Sequence, residues 1–114
     1  RKRYYMTDVS FVKYRETYIF QCSGHTWYAA EGEDILCSAV SVLCYTLREY
    51  LAGTELDSRL AKFSHTFVPG EVVIEFRAAH EEDTALIEAV RAILGGFDIL
   101  AENFGEYIRT DIQF

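Results

Sequence analysis

Five segments of the chain have the alternation or the composition of β-strands. The clearest is EVVIEFRA at 71–78, in which Val72, Ile74 and Phe76 alternate with mostly charged residues. A period of two places successive side chains on opposite faces, so this segment is predicted to be a half-buried strand. β-Branched and aromatic composition predicts four further strands. They lie at 9–14, 17–23, 58–67 and 107–114.

Two longer segments have the spacing of helices, with apolar residues three and four positions apart. The first runs from Asp34 to about Gly53, and the second from Glu81 to Asn103. The predicted buried face of the first helix is Ile35, Ala39, Val42, Leu43, Thr46, Leu47 and Tyr50. That of the second is Leu86, Val90, Ile93, Leu94, Phe97, Leu100 and Ala101. The pair Gly95-Gly96 lowers helix propensity, which predicts a close helix contact or a bend there.

The order of elements is therefore ββαββαβ, which predicts an α+β fold with two helices packed on a mostly antiparallel sheet. A chain of 114 residues is expected to form a single domain over 1–114. Met6 is a candidate native start, which would make residues 1–5 an expression remnant or an upstream start. Charged and polar residues interrupt the apolar runs, so no membrane span and no signal peptide are expected.

The composition narrows the function classes. The net charge is −7, which disfavours a duplex nucleic-acid binder, because such proteins need basic patches. The charge suits a basic partner, although an acidic surface also simply keeps a small domain soluble. Cys22, Cys37 and Cys44 are odd in number and lie in apolar context, unlike a disulfide framework. A reducing cytoplasm is therefore the expected compartment.

The stretch from Gly24 to Ser41 holds the parts of a cysteine nucleophile. Asp34 is predicted to cap the first helix, which places Cys37 in the first helical turn, where the helix dipole favours a thiolate. His25 stands twelve residues earlier, before an acidic loop at 26–33. Ser41 follows one turn below Cys37 on the same face. Gly24 would allow a tight turn at the histidine and leave room for a substrate backbone.

Two other interpretations of these residues stay open. A cysteine near an apolar helix is commonly a small core residue, and a Cys and a His at unrestricted spacing are a weak signal. Cys22, His25, Cys37 and Cys44 also offer soft ligands for zinc. The two paired motifs of a structural zinc site are missing, so no metal and no cofactor are predicted.

The motif Gly24-His25, followed after eleven residues by Cys37 within EDILCSAVSVL, resembles the ribosomal-processing cysteine protease family (Prp). The closing stretch AVRAILGGFDILAENFGEYIRTDI resembles the second helix and last strand of that family. The resemblance extends from about Val9 to the end, although residues 53–67 match poorly. Thr26 and Leu36 stand where the family commonly has alanine and valine.

The resemblance implies a small homodimeric enzyme with a cysteine-histidine dyad. Such enzymes remove a short, basic N-terminal extension from a ribosomal large-subunit protein. By motif position, Cys37 would be the nucleophile and His25 the general base and acid, while Gly24, Asp34 and Ser41 would support the site or bind substrate. Two alternatives stay open: a non-catalytic ribosome-associated adaptor that binds a basic peptide, and a thiol enzyme acting on another acyl substrate.

Overall fold

The fold follows the predicted order of elements. A computed structural model describes residues 6–24 and 33–114. The elements are β1 (Thr7–Tyr14), β2 (Thr17–Ser23), α1 (Glu33–Leu56), β3 (Leu60–Val68), β4 (Glu71–Ala78), α2 (Thr84–Asn103) and β5 (Ile108–Ile112). The predicted α+β class and ββαββαβ order are confirmed.

The strands form one mixed sheet in the order β3-β4-β2-β1-β5. Three of its four pairings are antiparallel, and only β1 and β5 run parallel. The parallel pair arises because α2 crosses over the sheet between β4 and β5, and a parallel connection needs such a crossover. The strand β3 forms one edge of the sheet and β5 forms the other.

One hydrophobic core lies between the sheet and the two helices. Alternate residues of the central strands are buried, among them Phe11, Phe20 and Phe76, each with no exposed surface. The Phe20 ring lies 5.4 Å from the ring of Phe97 on α2, which joins helix and sheet. The alternation predicted for β4 is confirmed, because Ile74 and Phe76 are fully buried while Arg77 is exposed.

The buried face of α1 differs from the predicted one. Ile35 and Val42, both expected inside, are 66% and 62% exposed. Leu47 is fully buried, as predicted. The other residues of α1 that enter the core are Leu36, Val40, Cys44 and Leu51, which were not predicted to be buried. A shift of one position rotates a helical face by about 100°. Because α1 is apolar over much of its circumference, its spacing alone did not indicate which face meets the sheet.

The length of α1 also exceeds the prediction. The helix continues through Gly53 to Leu56. By length and composition, Ile35–Leu56 could span a membrane, with a mean hydropathy of 1.3, so the expectation that no segment fits a span was wrong on that criterion. One face of this helix packs on the rest of the domain, with Leu47 and Leu51 fully buried, while 28% of the apolar window as a whole is buried.

The two helices approach each other closely at Gly96. A Cβ atom on Gly96 would lie 2.7 Å from Cδ2 of Leu43 on α1. The same atom on Gly95 would meet nothing within 4 Å. The predicted close helix contact is therefore confirmed for Gly96, and the absence of a side chain lets α1 and α2 pack together.

The helix α2 begins at Thr84, three residues later than predicted, and its start is held by Asp83. The Asp83 carboxylate accepts a hydrogen bond from the Leu86 amide at 3.1 Å, which caps the helix. The Arg59 guanidinium donates two further hydrogen bonds to it, both at 2.9 Å. The hydrogen bond from Arg59 is the main reason why the pKa of Asp83 lies below its ordinary value.

We expect Asp83→Ala to lower the free energy of unfolding by about 1 kcal/mol at neutral pH, the usual cost of losing an N-cap. The folded-state pKa of Asp83 is depressed, so its contribution is present above the unfolded-state pKa. It is lost as the pH falls through the lower folded-state value. Urea unfolding at neutral and acidic pH measures both effects, with exposed Glu82→Ala as the control. An equal effect of Asp83→Ala at both pH values would contradict this account.

Candidate active site

The predicted nucleophile Cys37 lies near the N-terminus of α1 and is half-buried. Because α1 begins at Glu33, Asp34 is a first-turn residue, and the prediction that it caps the helix is corrected. Cys37 therefore opens the second turn. The first four amides of a helix have no intrahelical acceptor. Their partial positive charge favours an anion beside the first turn, which suits a thiolate or an oxyanion there.

A pocket of about 330 Å³ lies alongside α1, next to the turn that holds Cys37. Ser41 lines this pocket, and its position four residues after Cys37 places both on one helical face. The remaining lining comes from α1, β2 and the β3–β4 hairpin. These residues are Cys22, Val40, Cys44, Tyr45, Phe67, Val68, Pro69, Gly70, Glu71 and Val72.

Aromatic side chains form one wall of the pocket, at the end that is farther from the N-terminus of α1. The rings of Tyr45 and Phe67 stack with centroids 4.9 Å apart. The Arg48 guanidinium lies 4.7 Å from the Tyr45 centroid and 4.9 Å from that of Phe67. This arrangement gives a mainly apolar pocket that ends in a stacked wall about two helical turns beyond Cys37. Sequence reasoning missed Tyr45 and Phe67, since they meet only when β3 packs beside α1.

Gly24 connects the end of β2 to the rim of the pocket. Its amide donates a hydrogen bond to the Gly70 carbonyl at 3.3 Å, and Gly70 lines the pocket. Gly24 has a φ of +82°, and a Cβ atom there would collide with the Met6 carbonyl oxygen. Only glycine fits this conformation and this space. The prediction of a glycine-dependent turn before His25 therefore has a structural basis.

The predicted base His25 and the loop residues that follow it, 26–32, lie outside the described residues. The pairing of His25 with Cys37 therefore stays a prediction. Within 6–24 and 33–114 no group of three His, Cys, Asp or Glu residues could hold a metal ion. Cys22 and Cys44, two of the four residues considered for zinc, are buried in the core.

The model of the family "Cysteine protease Prp" matches residues 6–109 of the chain. The chain belongs to this family. The matched range includes Gly24, His25 and Cys37, the three residues of the motif. The family that was expected from the sequence is therefore confirmed. The chain is thus a protease of the Prp family.

Solved structures with the Prp fold superimpose on nearly the whole chain. The ribosomal processing protease Prp from S. aureus, in complex with a substrate peptide, has a TM-score of 0.71 at 15% identity and covers 95% of this chain and 100% of its own. Its complex with a covalently linked product peptide has a TM-score of 0.69 at 16% identity, with the same coverage of both chains. The structure of SMU.848 from Streptococcus mutans has a TM-score of 0.67 at 22% identity and covers 95% of this chain and 97% of its own. No curated protein matches the sequence significantly.

We expect Gly24→Ala to lower both thermal stability and any activity that depends on the residues after β2. The new methyl group would collide with the Met6 carbonyl and force a strained φ. Gly53→Ala is the matched control, because a Cβ there meets nothing within 4 Å and alanine favours a helix. Differential scanning fluorimetry compares the two. A Gly24→Ala melting temperature equal to that of the parent would contradict the steric account.

Proposed function

We propose that this Prp-family protease is a cysteine endopeptidase that removes the N-terminal extension of a ribosomal large-subunit protein. Cys37 is the nucleophile, and His25 is the general base and acid. The observation that carries the proposal is the position of Cys37, half-buried near the start of α1 and one helical turn before Ser41, which lines the pocket. The S. aureus structures with substrate and product peptides support a peptide substrate.

The chemistry is acyl transfer through a thioester. His25 takes the proton of Cys37, and the thiolate attacks the scissile carbonyl carbon. The unpaired amides of the first α1 turn stabilise the oxyanion. His25 then protonates the leaving amine, and water activated by the same imidazole hydrolyses the acyl-enzyme. Ser41, one turn further along α1, contacts the bound peptide, while Asp34 and Gly24 support the site.

The charge of the chain supports a basic substrate. The net charge is −7, and Glu31, Glu33 and Asp34 stand between the two proposed catalytic residues in sequence. Ribosomal proteins bind RNA through basic residues, so such a terminus would be attracted during approach. Cytoplasmic location follows from the same proposal, because ribosomes assemble there and a reducing compartment keeps a catalytic thiol reduced.

We expect Cys37→Ala and Cys37→Ser to abolish cleavage of an extended ribosomal-protein peptide without loss of folding. His25→Ala should slow cleavage by a factor of about 100 or more, as for the loss of a general base. Mass spectrometry of the peptide after incubation measures each rate, and circular dichroism checks the fold. If the parent protein binds the extended peptide without cutting it, the result would instead support the non-catalytic adaptor. Full cleavage by Cys37→Ala would refute the proposed nucleophile.

The homodimer expected from the family has a candidate surface on α1. Ile35, Val42 and Leu56 are 66%, 62% and 86% exposed. They are spaced by multiples of seven residues, so they share one stripe with Tyr45, which is 47% exposed. Apolar residues at heptad spacing form the contact between paired helices. We propose that two copies pack through this stripe.

We expect Val42→Glu to convert the dimer into a monomer, because it places a charge in the centre of the stripe. Ile99→Glu is the matched control: Ile99 is 59% exposed but lies on α2, away from the stripe. Sedimentation-velocity experiments over a range of protein concentrations measure the mass of each variant. A parent protein that sediments as a monomer throughout, or a dimer broken only by Ile99→Glu, would contradict the proposed surface.

A further inference from the structure

The pocket beside α1 contains a second pair of chemically reactive groups that the proposed mechanism does not use. Cys22 on β2 and Cys44 on α1 are each 2% exposed, and both line the pocket. Their thiols form a hydrogen bond with each other. The pair therefore bridges the sheet and the helix that carries Cys37.

We propose that Cys22 and Cys44 are an oxidisable thiol site that closes to a disulfide in the presence of a peroxide. The pair is distinct from the proposed nucleophile, because Cys37 stands seven residues before Cys44, or about two helical turns, roughly 10 Å, away. Cys37 therefore cannot bond to Cys44 without a large movement. The pocket gives a small oxidant such as hydrogen peroxide a path to both sulfurs.

The hydrogen bond assigns different roles to the two thiols. The bond from Cys44 lowers the pKa of Cys22, against the opposing effect of burial. The same bond and burial raise the pKa of Cys44. The thiolate is the form that reacts with peroxides, so we write the reaction with Cys22 attacking first; attack by Cys44 would give the same disulfide.

The oxidation proceeds in two balanced steps. The Cys22 thiolate attacks one peroxide oxygen, the O–O bond breaks, and the departing hydroxide takes a proton to become water, leaving a sulfenic acid. The Cys44 sulfur then attacks the Cys22 sulfur and displaces its hydroxyl group, which leaves as water with the Cys44 proton. Two thiols are oxidised to a disulfide, and one hydrogen peroxide is reduced to two molecules of water.

The disulfide would alter the pocket. A sulfur–sulfur bond is about 2.05 Å long, much shorter than a hydrogen bond between two thiols, so the two sulfurs must move closer and draw α1 toward β2. Protein interiors are close-packed, and the movement is therefore transmitted along the helix. Val40 and Ser41 line the same pocket on the preceding turn. The oxidised form should bind peptide more weakly than the reduced form, a consequence that rests on the proposed function.

The test uses the Cys37→Ala variant, which removes the proposed nucleophile and leaves only the buried pair. After treatment with hydrogen peroxide, the intact mass should fall by two hydrogen atoms, and reduction with dithiothreitol should restore it. Trypsin cannot separate the two cysteines, because no Lys or Arg occurs between Arg15 and Arg48. A protease that cuts after Glu31 or Glu33 releases them as separate peptides, and a disulfide joins those peptides in the mass spectrum.

The control is the double variant Cys37→Ala with Cys44→Ala, in which the mass loss and the linked peptides should disappear. If both thiols of peroxide-treated Cys37→Ala can still be alkylated after unfolding, or gain only oxygen, the thiol site is refuted.

Fluorescence anisotropy with an extended ribosomal-protein peptide then compares the binding affinities of the reduced and oxidised forms of Cys37→Ala. Equal affinities would refute control of the pocket. A disulfide in a protein that binds the peptide in neither form would refute the proposed function and leave the thiol site standing.

Discussion

The packing of α1 on the sheet is the interaction on which the rest of the structure depends. Leu47 and Leu51 have no exposed surface, and Leu36 and Val40 have 3% each. Burying a side chain of this size contributes roughly 1.5–3 kcal/mol, so this face fixes the rotation of the helix about its axis. That rotation places Cys37 and Ser41 beside the pocket and leaves Ile35 and Val42 in solvent.

Two glycines let the elements that surround the site approach each other. Gly96 admits the Leu43 side chain of α1 against α2, which sets how closely the two helices pack. Gly24 allows the end of β2 to turn beneath the Met6 carbonyl and to hydrogen-bond to Gly70. The chain thus enters the segment that contains His25 from a position anchored to the rim of the pocket. In both places the methyl group of an alanine would collide with a neighbouring atom.

The pocket combines properties that suit a thiol enzyme with an extended substrate. Tyr45, which stacks on Phe67 of β3, lies on the same face of α1 as Cys37 and Ser41 but farther from the helix N-terminus. The pocket lining is mainly apolar, and the net charge of −7 would attract a basic substrate of the proposed kind. The buried pair Cys22 and Cys44 lies beneath this surface, so its chemistry is coupled to the shape of the pocket and not to the nucleophile directly.

Local patterns in the sequence determined the order of elements, the buried residues of β4 and α2, and the family through the Gly24-His25 and Cys37 motif. These features depend on residues close together in the chain, where strand alternation, helical spacing and glycine act directly. The tertiary structure decided what depends on contacts between distant segments. The apolar circumference of α1 was compatible with several rotations, and only the sheet selected the face of Leu36, Leu47 and Leu51. The pocket wall of Tyr45 and Phe67, and the contact of Cys22 with Cys44, likewise exist because β2, β3 and α1 are brought together by folding.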